Sequence, residues 1–394
     1  PRSSSGPLTL AAIETAEARP MLRTVDPASW DGLAPPDREW IMPEWIPLPK
    51  ATYLTARGSA GKSLAVQQMC TAAAMGLTFL GIETRKCNSM YVTCEDDATE
   101  LHRRQIAICG TLGCSPSALK GRLHLVSLAG ELSNEIATFN PEGRMALTDR
   151  FHEIENTAQH HDIGLIALDN VAHLFAGNEN IRNQVAAFCN LLNRLAASIG
   201  GAVIFIGHPN KAGANFSGST AWENQVRSRL FLDMPGADDV SGDPDKRTLS
   251  RGKANYARNG AHIEFRWHHG AFVLSSDLPE SERDDLATVA QAAGDNAIFL
   301  TCLAERNRQG RPVSERYSRS YAPTVFAQMS EARGIGKERL EAAMDRLFRT
   351  AQIERAVLGR DKVKARDVEG LREVAASTPK PSPKPVPERS PERS

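Results

Sequence analysis

The feature that most constrains this chain is Ala56-Arg57-Gly58-Ser59-Ala60-Gly61-Lys62-Ser63, a loop of small residues set between an apolar strand and a helix. The preceding Ala51-Thr52-Tyr53-Leu54-Thr55 is β-branched and aromatic, and reads as a buried strand. Leu64 to Met75, rich in Ala, Leu, Gln and Met, reads as a helix stopped by Gly76. Between them, successive backbone N–H groups at a helix N-terminus can wrap the α and β phosphates of a nucleotide. On this reading the binding segment is Ala56, Gly58, Ser59, Ala60, Gly61, Lys62, Ser63 and Leu64. Lys62 would reach the β and γ phosphates and the Ser63 hydroxyl would hold Mg²⁺, so ATP and Mg²⁺ are the expected cofactors. Such loops usually open on Gly, where this chain has Ala56, a departure that small size tolerates. The alternative is an ordinary glycine-rich turn.

At 394 residues the chain can bury one large core and carry a small second domain. Its 47 basic and 47 acidic residues balance, which by itself argues neither for nor against nucleic acid. The balance hides an asymmetry, because Ala297 to Ala376 carries sixteen Lys/Arg against eleven Asp/Glu. The seven cysteines are scattered, odd in number and without a CxxC pair, as expected of reduced cytoplasmic thiols rather than a disulfide framework or zinc site. The sequence reads as having no membrane span and no signal peptide, so no membrane partner is expected. It opens Pro1-Arg2-Ser3 without Met, as a processed product or a piece of a longer protein would.

Along the chain, residues 1–38 are rich in Pro, Ser, Ala and charge and read as a flexible arm. Residues 39–276 alternate apolar strands with helical segments, the pattern of an α/β fold with a mostly parallel twisted sheet. Strands are predicted at Ala51–Thr55, Met90–Cys94, Ile163–Leu168, Ala202–Gly207 and Arg229–Met234. A hairpin is predicted from Ile263–Trp267 and Ala271–Ser275. Trp40 and Trp45, ahead of the first strand, read as packing residues, with adenine stacking as the alternative. Residues 277–296 read as a charged linker. Within 297–376, helices are predicted at Ala297–Arg306, Pro323–Ala332 and Lys337–Arg349, then a ribbon from Ile353–Val357 and Val363–Ala365. This order suggests a winged-helix-like module, or alternatively a small helical packing or oligomerisation module. Residues 377–394 alternate Pro with Lys, Ser, Arg and Glu and read as disordered.

Hydrolysis needs more than a phosphate cradle, and parallel sheets supply the rest from strand carboxyl ends. Ile163 to Leu168 is an apolar strand ending in Asp169-Asn170, so Asp169 is the expected metal-orienting acid. Met90 to Cys94 ends in Glu95-Asp96-Asp97. Glu95 is the candidate for polarising the attacking water, with Asp96 and Asp97 as helix N-cap and first-turn residues. Ala202 to Gly207 ends in His208, which reads as a γ-phosphate sensor or as a structural histidine.

Lys62-Ser63, Glu95-Asp96-Asp97 with Arg103-Arg104, Asp169-Asn170, His208-Pro209-Asn210-Lys211, and Gly218-Ser219-Thr220-Ala221-Trp222 followed by Arg227 occur here in one order. Together, over about residues 40 to 275, they resemble the RecA-like ATPases of the plasmid RepA class of hexameric replicative helicases. The module after residue 297 is more loosely similar to one found in related phage and prophage ATPases. The resemblance implies a RecA-like P-loop core, a homo-hexameric ring with ATP at each interface, translocation on single-stranded DNA, and a primase or other replication proteins as partners. It implies a catalytic role for Glu95 and an arginine finger from the neighbouring subunit at Arg227, with Arg229 and Lys253 as alternatives. It also implies DNA-binding loops at Phe175 to Asn183 and Pro209 to Ser219. A helicase is the leading reading. A recombinase-like or helicase-loading ATPase, and an ATP-switched DNA-binding regulator, stay open as alternatives.

Overall fold

The computed structural model describes residues 22, 24–207, 220–235, 243–258, 260–361 and 366–374. The chain divides into two units, Pro1–Arg38 and Glu39–Ser394. In the first, a single 3-10 turn at Pro27–Trp30 is capped by Asp26, whose Oδ1 accepts from the Ala28 N–H at 3.0 Å. The predicted tail at 377–394 lies outside the described residues.

The second unit is built on a nine-stranded sheet. Its strands are β1 (Ala51–Ala56), β2 (Asn88–Thr93), β3 (Leu123–Ser127), β4 (Ile163–Asp169), β5 (Ala202–Gly207), β6 (Ser228–Asp233), β7 (Lys246–Ala254), β8 (His262–His268) and β9 (Ala271–Val273). The spatial order is β9-β8-β7-β6-β1-β5-β4-β2-β3. From β6 to β3 all neighbours are parallel, and from β6 to β9 they are antiparallel. This is an α/β architecture of RecA-like form, with the cradle strand β1 at the centre and β5 inserted between it and the Asp169 strand.

Within this sheet the predicted strands are present, and two of its nine are not predicted, for a physical reason. Buried parallel strands read as near-continuous apolar runs, and β1 and β5 are buried at every position. β3 is an edge strand whose five residues are all half-buried, so its Leu-His-Leu-Val-Ser carries no such run. β7 is Lys-Arg-Thr-Leu-Ser-Arg-Gly-Lys-Ala, and only Leu249 and Arg251 within it are buried.

Helix α1 (Lys62–Met75) buries eleven of its residues, which explains why its apolar residues surround it instead of forming one stripe. It stops at Gly76, in the left-handed conformation (φ 69°), whose N–H bonds the Ala72 and Ala73 carbonyls. Helices α2 (Ala98–Leu112), α3 (Asp149–His160), α4 (Val171–Leu174), α5 (Arg182–Ser198) and α6 (Thr220–Gln225) complete the layers. One face of the sheet packs α1 through Val66, Met69 and Cys70. The other packs an aromatic cluster in which Trp222 lies 5.2 Å from Phe175, 5.9 Å from Phe188 and 6.0 Å from Tyr53. Trp45 is a packing residue, 5% exposed, with the Arg251 guanidinium over its ring.

Beyond the sheet, α7 (Glu280–Arg308) is one unbroken helix of 29 residues. The stretch expected as a linker at 277–296 is therefore mostly helix, continuous with the predicted first helix of the module. By length and composition α7 could also cross a membrane, where the sequence reading found no such stretch. Its C-terminal half instead buries Phe299, Cys302 and Leu303 in the module's own core, against Phe326, Leu340 and Leu347. The module continues with α8 (Ala322–Phe326), shorter than predicted, then α9 (Lys337–Arg349) and a ribbon of β10 (Ile353–Asp361) and β11 (Arg366–Glu373). The predicted ribbon strand Val363–Ala365 lies outside the described residues. All seven cysteines are free.

The tightest backbone approach joins the entry to β5 with β4. A Cβ on Gly201 would lie 2.2 Å from the Gly164 carbonyl oxygen, whereas one on Gly200 would meet open space. Gly201→Ala is expected to destabilise the protein by more than ~3 kcal/mol, because backbone cannot retreat as a side chain can. Gly200→Ala should cost only ~1–2 kcal/mol, for its left-handed backbone. Urea unfolding midpoints check this, and equal effects would mean that β4 and β5 can part without loss.

Candidate active site

The cradle forms where β1 ends. Ala56 is the last strand residue and fully buried, so a methyl group fits where a loop position would demand Gly. The turn then uses two left-handed residues, Ser59 (φ 63°) and Gly61 (φ 92°). Gly61 is required twice over, because a Cβ there would also come within 2.7 Å of the Phe272 ring. As the N-cap of α1, Gly61 offers no side-chain acceptor, and the first turn holds no acid. The α1 N-terminus thus keeps its partial positive charge for an anion, and Lys62 adds a full one. Leu64 points into the core at 8% exposure, so its part in binding is confined to its backbone N–H.

Groups from the antiparallel edge brace this turn. Gln68 on α1 donates to the Phe272 carbonyl at 2.7 Å and accepts from the Phe272 N–H at 2.9 Å. Arg247 on β7 donates through Nε to the Ala60 carbonyl at 3.1 Å. Arg57 pairs with Asp233 at the end of β6, 3.0 Å away.

Register then delivers the acids. Thr93 is paired with Asp169 across β2 and β4, and Thr55 with Gly207 across β1 and β5, so these strands end at one edge. Asp169 is 1% exposed. Its carboxylate accepts from the Tyr91 hydroxyl at 2.6 Å and from the Ser63 hydroxyl. Burial pushes its pKa above the usual carboxylate value, against the pull of those two hydrogen bonds. Burial likewise pushes the Lys62 ammonium down, opposed first by Asp169 and then by Glu95. A buried carboxylate touching a hydroxyl is the hard-oxygen donor set that Mg²⁺ takes. An uncapped helix end with a desolvated lysine is what a triphosphate takes. The residues present therefore fit both groups.

The three acids after β2 separate into three roles. Thr93 Oγ1 accepts from the N–H groups of Glu95 and Asp96, at 3.2 and 3.3 Å, which fixes the turn. Asp97 is the N-cap of α2, accepting from the Glu100 N–H at 2.8 Å. Asp96, expected in the cap or first turn, lies before the cap and takes a two-pronged bond from Arg104 at 2.7 and 2.8 Å. Glu95 is held by neither a cap nor an arginine, and its side chain is 44% exposed. Its carboxylate accepts from Asn170 Nδ2 at 2.5 Å, and His173 Nε2 lies 3.8 Å away.

Lys62, Ser63, Glu95 and Asp169 thus come together. His208 and the loop after it, at 208–219, lie outside the described residues. Arg227 does not join its own cradle. Ser228 pairs with Thr52, so Arg227 lies at the opposite end of β1 from the loop, at least roughly 13 Å away along the strand. Its two alternatives are engaged within the chain. Arg229 is buried on Glu223 at 2.9 Å, and Lys253 donates to the Glu223 and Asn224 carbonyls at 2.9 and 3.3 Å. Arg227 is exposed. The first expected DNA loop is also shorter than 175–183, because Phe175 is core and Arg182 opens α5. Sequence reasoning missed Tyr91, His173 and Gln68, since nothing local marks them as neighbours of the loop, and it had Asn170 in a motif without its bond to Glu95.

Lys62→Ala is expected to weaken nucleotide binding by at least ~100-fold, read by titration with a fluorescent ATP analogue, because the cradle loses its buried cation. Unchanged affinity would refute the cradle. Glu95→Gln should bind normally and release phosphate ~100- to 1,000-fold more slowly. Normal turnover in that variant would remove Glu95 from the chemistry.

Residues 16–214 match the family model described as an AAA domain, a span that begins inside the expected arm and takes in the cradle, Glu95 and Asp169. With half of its length matched, this chain belongs to the AAA domain family of P-loop ATPases.

Proposed function

We propose that this protein is an ATP-driven motor on single-stranded DNA, a ring-shaped replicative helicase of a phage, plasmid or integrated element, related to the RepA class. The observation that carries the reading is the placement of Arg227, exposed and at the far end of the sheet from the loop it would serve. An arginine so placed can complete a cradle only in a neighbouring copy, which is the geometry of a ring with ATP between subunits.

In this mechanism Lys62 neutralises the β and γ phosphates, and the α1 N-terminus holds them by backbone N–H groups. Ser63 and Asp169 would hold magnesium, whose charge would polarise the phosphoryl oxygens. Tyr91 holds the Asp169 carboxylate in place through the 2.6 Å bond. Glu95 orients water and receives its proton. Arg227 from the next subunit answers the charge that develops on the transferred phosphoryl group.

The link to a strand of DNA runs through Asn170. Its Oδ1 accepts from the Ala172 N–H at 2.9 Å and so caps α4, while its Nδ2 holds Glu95. α4 leads directly into the segment 176–181, the shortened first DNA loop. A shift of that loop reaches the water-orienting acid through one side chain. The segment has neither an aromatic residue nor a cation and carries Glu179, so the charge for a sequence-tolerant contact with DNA would come from Arg182 at the start of α5.

Steady-state hydrolysis should rise several-fold with single-stranded DNA, and Glu95→Gln should abolish the response. Hydrolysis indifferent to single strands would leave an ATPase and overturn the motor. Mixing Arg227→Ala with wild type should depress hydrolysis below simple dilution, because each variant copy spoils a neighbour's site. A linear mixing curve would rule out a finger in trans.

A further inference from the structure

The C-terminal module has the helix–helix–helix–ribbon order of a duplex reader, but the outward face of its third helix lacks the charge for a groove. Arg339 is tied to Asp295 of α7 through Nε at 3.0 Å. Arg346 is tied to the Asn296 side chain at 3.0 Å and the Ala292 carbonyl at 3.2 Å. Between Lys337 and Arg349 at the two ends of α9, the remaining exposed positions are Glu338, Ala342 and Asp345. Between its two ends that face presents no arginine that is not already engaged.

Cations gather instead around the loop before α8. Arg316 and Arg319 flank Tyr317 and both are exposed, as is Lys337 at the start of α9. Glu315 answers two arginines, Arg316 at 3.4 Å and Arg355 at 2.8 Å, and Glu341 lies 3.4 Å from Lys337, so Arg316, Arg319, Arg355 and Lys337 outnumber these two acids. Tyr317 is 76% exposed, yet it is held. Its ring stacks on Tyr321 at 4.3 Å and 26°, and its hydroxyl donates to Glu341 Oε1 at 3.0 Å. Lys337 Nζ lies 5.0 Å from the Tyr317 centroid and 5.6 Å from that of Tyr321. A large exposed ring already fixed by a neighbour loses little side-chain freedom when something stacks on it.

We propose that Tyr317, with Arg316, Arg319 and Lys337, is a stacking site for single-stranded DNA, outside the ATPase core. An unpaired base covers the free part of the ring while the cations take its flanking phosphates. Duplex DNA does not satisfy this corner, because its bases are already stacked and its edges alone are open. The choice of DNA over RNA rests on the function proposed above; the stacking chemistry does not.

The test uses the full chain with short fluorescent oligothymidine, a hairpin duplex of the same length, and ultraviolet crosslinking mapped by mass spectrometry. Tyr317→Ala should weaken single-strand affinity by roughly 5- to 100-fold, with DNA-free ATP hydrolysis and thermal midpoint unchanged. Tyr317→Phe, which keeps the ring, should bind nearly as wild type, and oligothymidine should crosslink to the peptide containing Tyr317. Unchanged affinity in Tyr317→Ala, crosslinks confined to the core, or an equal loss for duplex would each overturn the site. Single-strand-stimulated hydrolysis that ignores Tyr317 would sink this site and leave the motor standing. A Tyr317-dependent affinity in a protein whose hydrolysis ignores DNA would do the reverse.

Discussion

The register of the parallel sheet is the constraint on which everything else depends. A strand slipped by one residue would turn every side chain to the other face. Thr93 opposite Asp169, Leu168 opposite Phe205 and Thr55 opposite Gly207 set four strand ends on one line. From that line the chain projects a cation, a hydroxyl and two carboxylates whose positions in sequence span more than a hundred residues. The close approach of Gly201 to Gly164 and the filled aromatic layer under Trp222 hold this register, although neither touches the site.

The site holds charge against the preference of the fold. Burial raises the Asp169 pKa, so its ionised form burdens the folded state above the ordinary carboxylate range, and acid relieves that burden. Burial lowers the Lys62 pKa, so its charged form burdens the fold below the ordinary lysine range, and alkali relieves that one. Near neutral pH both burdens act together, and each charge partly offsets the other. On the proposed function, a divalent cation on Asp169 and a polyphosphate on Lys62 would remove the remainder, and ligand binding and stability would be linked through the same two side chains.

What could be read from the sequence follows from how local each signal is. β4 and β5 are legible because buried parallel strands are near-continuous apolar runs, β1 because it is β-branched and aromatic, and α1 because its cradle and its Gly76 stop are contiguous with it. β7 was not, because its one fully buried charge contradicts any pattern. Arg251 is 1% exposed, with its guanidinium held by the Glu44 and Arg258 carbonyls and by the Glu44 carboxylate. Within the site, Lys62, Ser63, Glu95 and Asp169 belong to short motifs, whereas Tyr91 reaches Asp169 across 78 residues and Asn170 reaches Glu95 across 75. Such partners are created by sheet order, which no window along the chain contains. The placement of Arg227 was hidden for the same reason. Its motif located it in sequence, but only the pairing of β6 with β1 shows that it faces away from its own loop.

The antiparallel edge gives the cradle a second attachment. Phe272 packs against Gly61 and is gripped by Gln68, so the N-terminal part of α1 and strand β9 form one body. β9 pairs with β8, and His268 at the end of β8 meets Glu282 in the first turn of α7 at 2.9 Å. α7 then runs unbroken into the C-terminal core. Three short steps thus join the residue that caps the phosphate-binding helix to the helix that carries the module. A movement of the cradle that displaces Phe272 has to be absorbed within β9 or passed to α7. With β9 only three residues long and paired to β8 at each of them, little of it can be absorbed there.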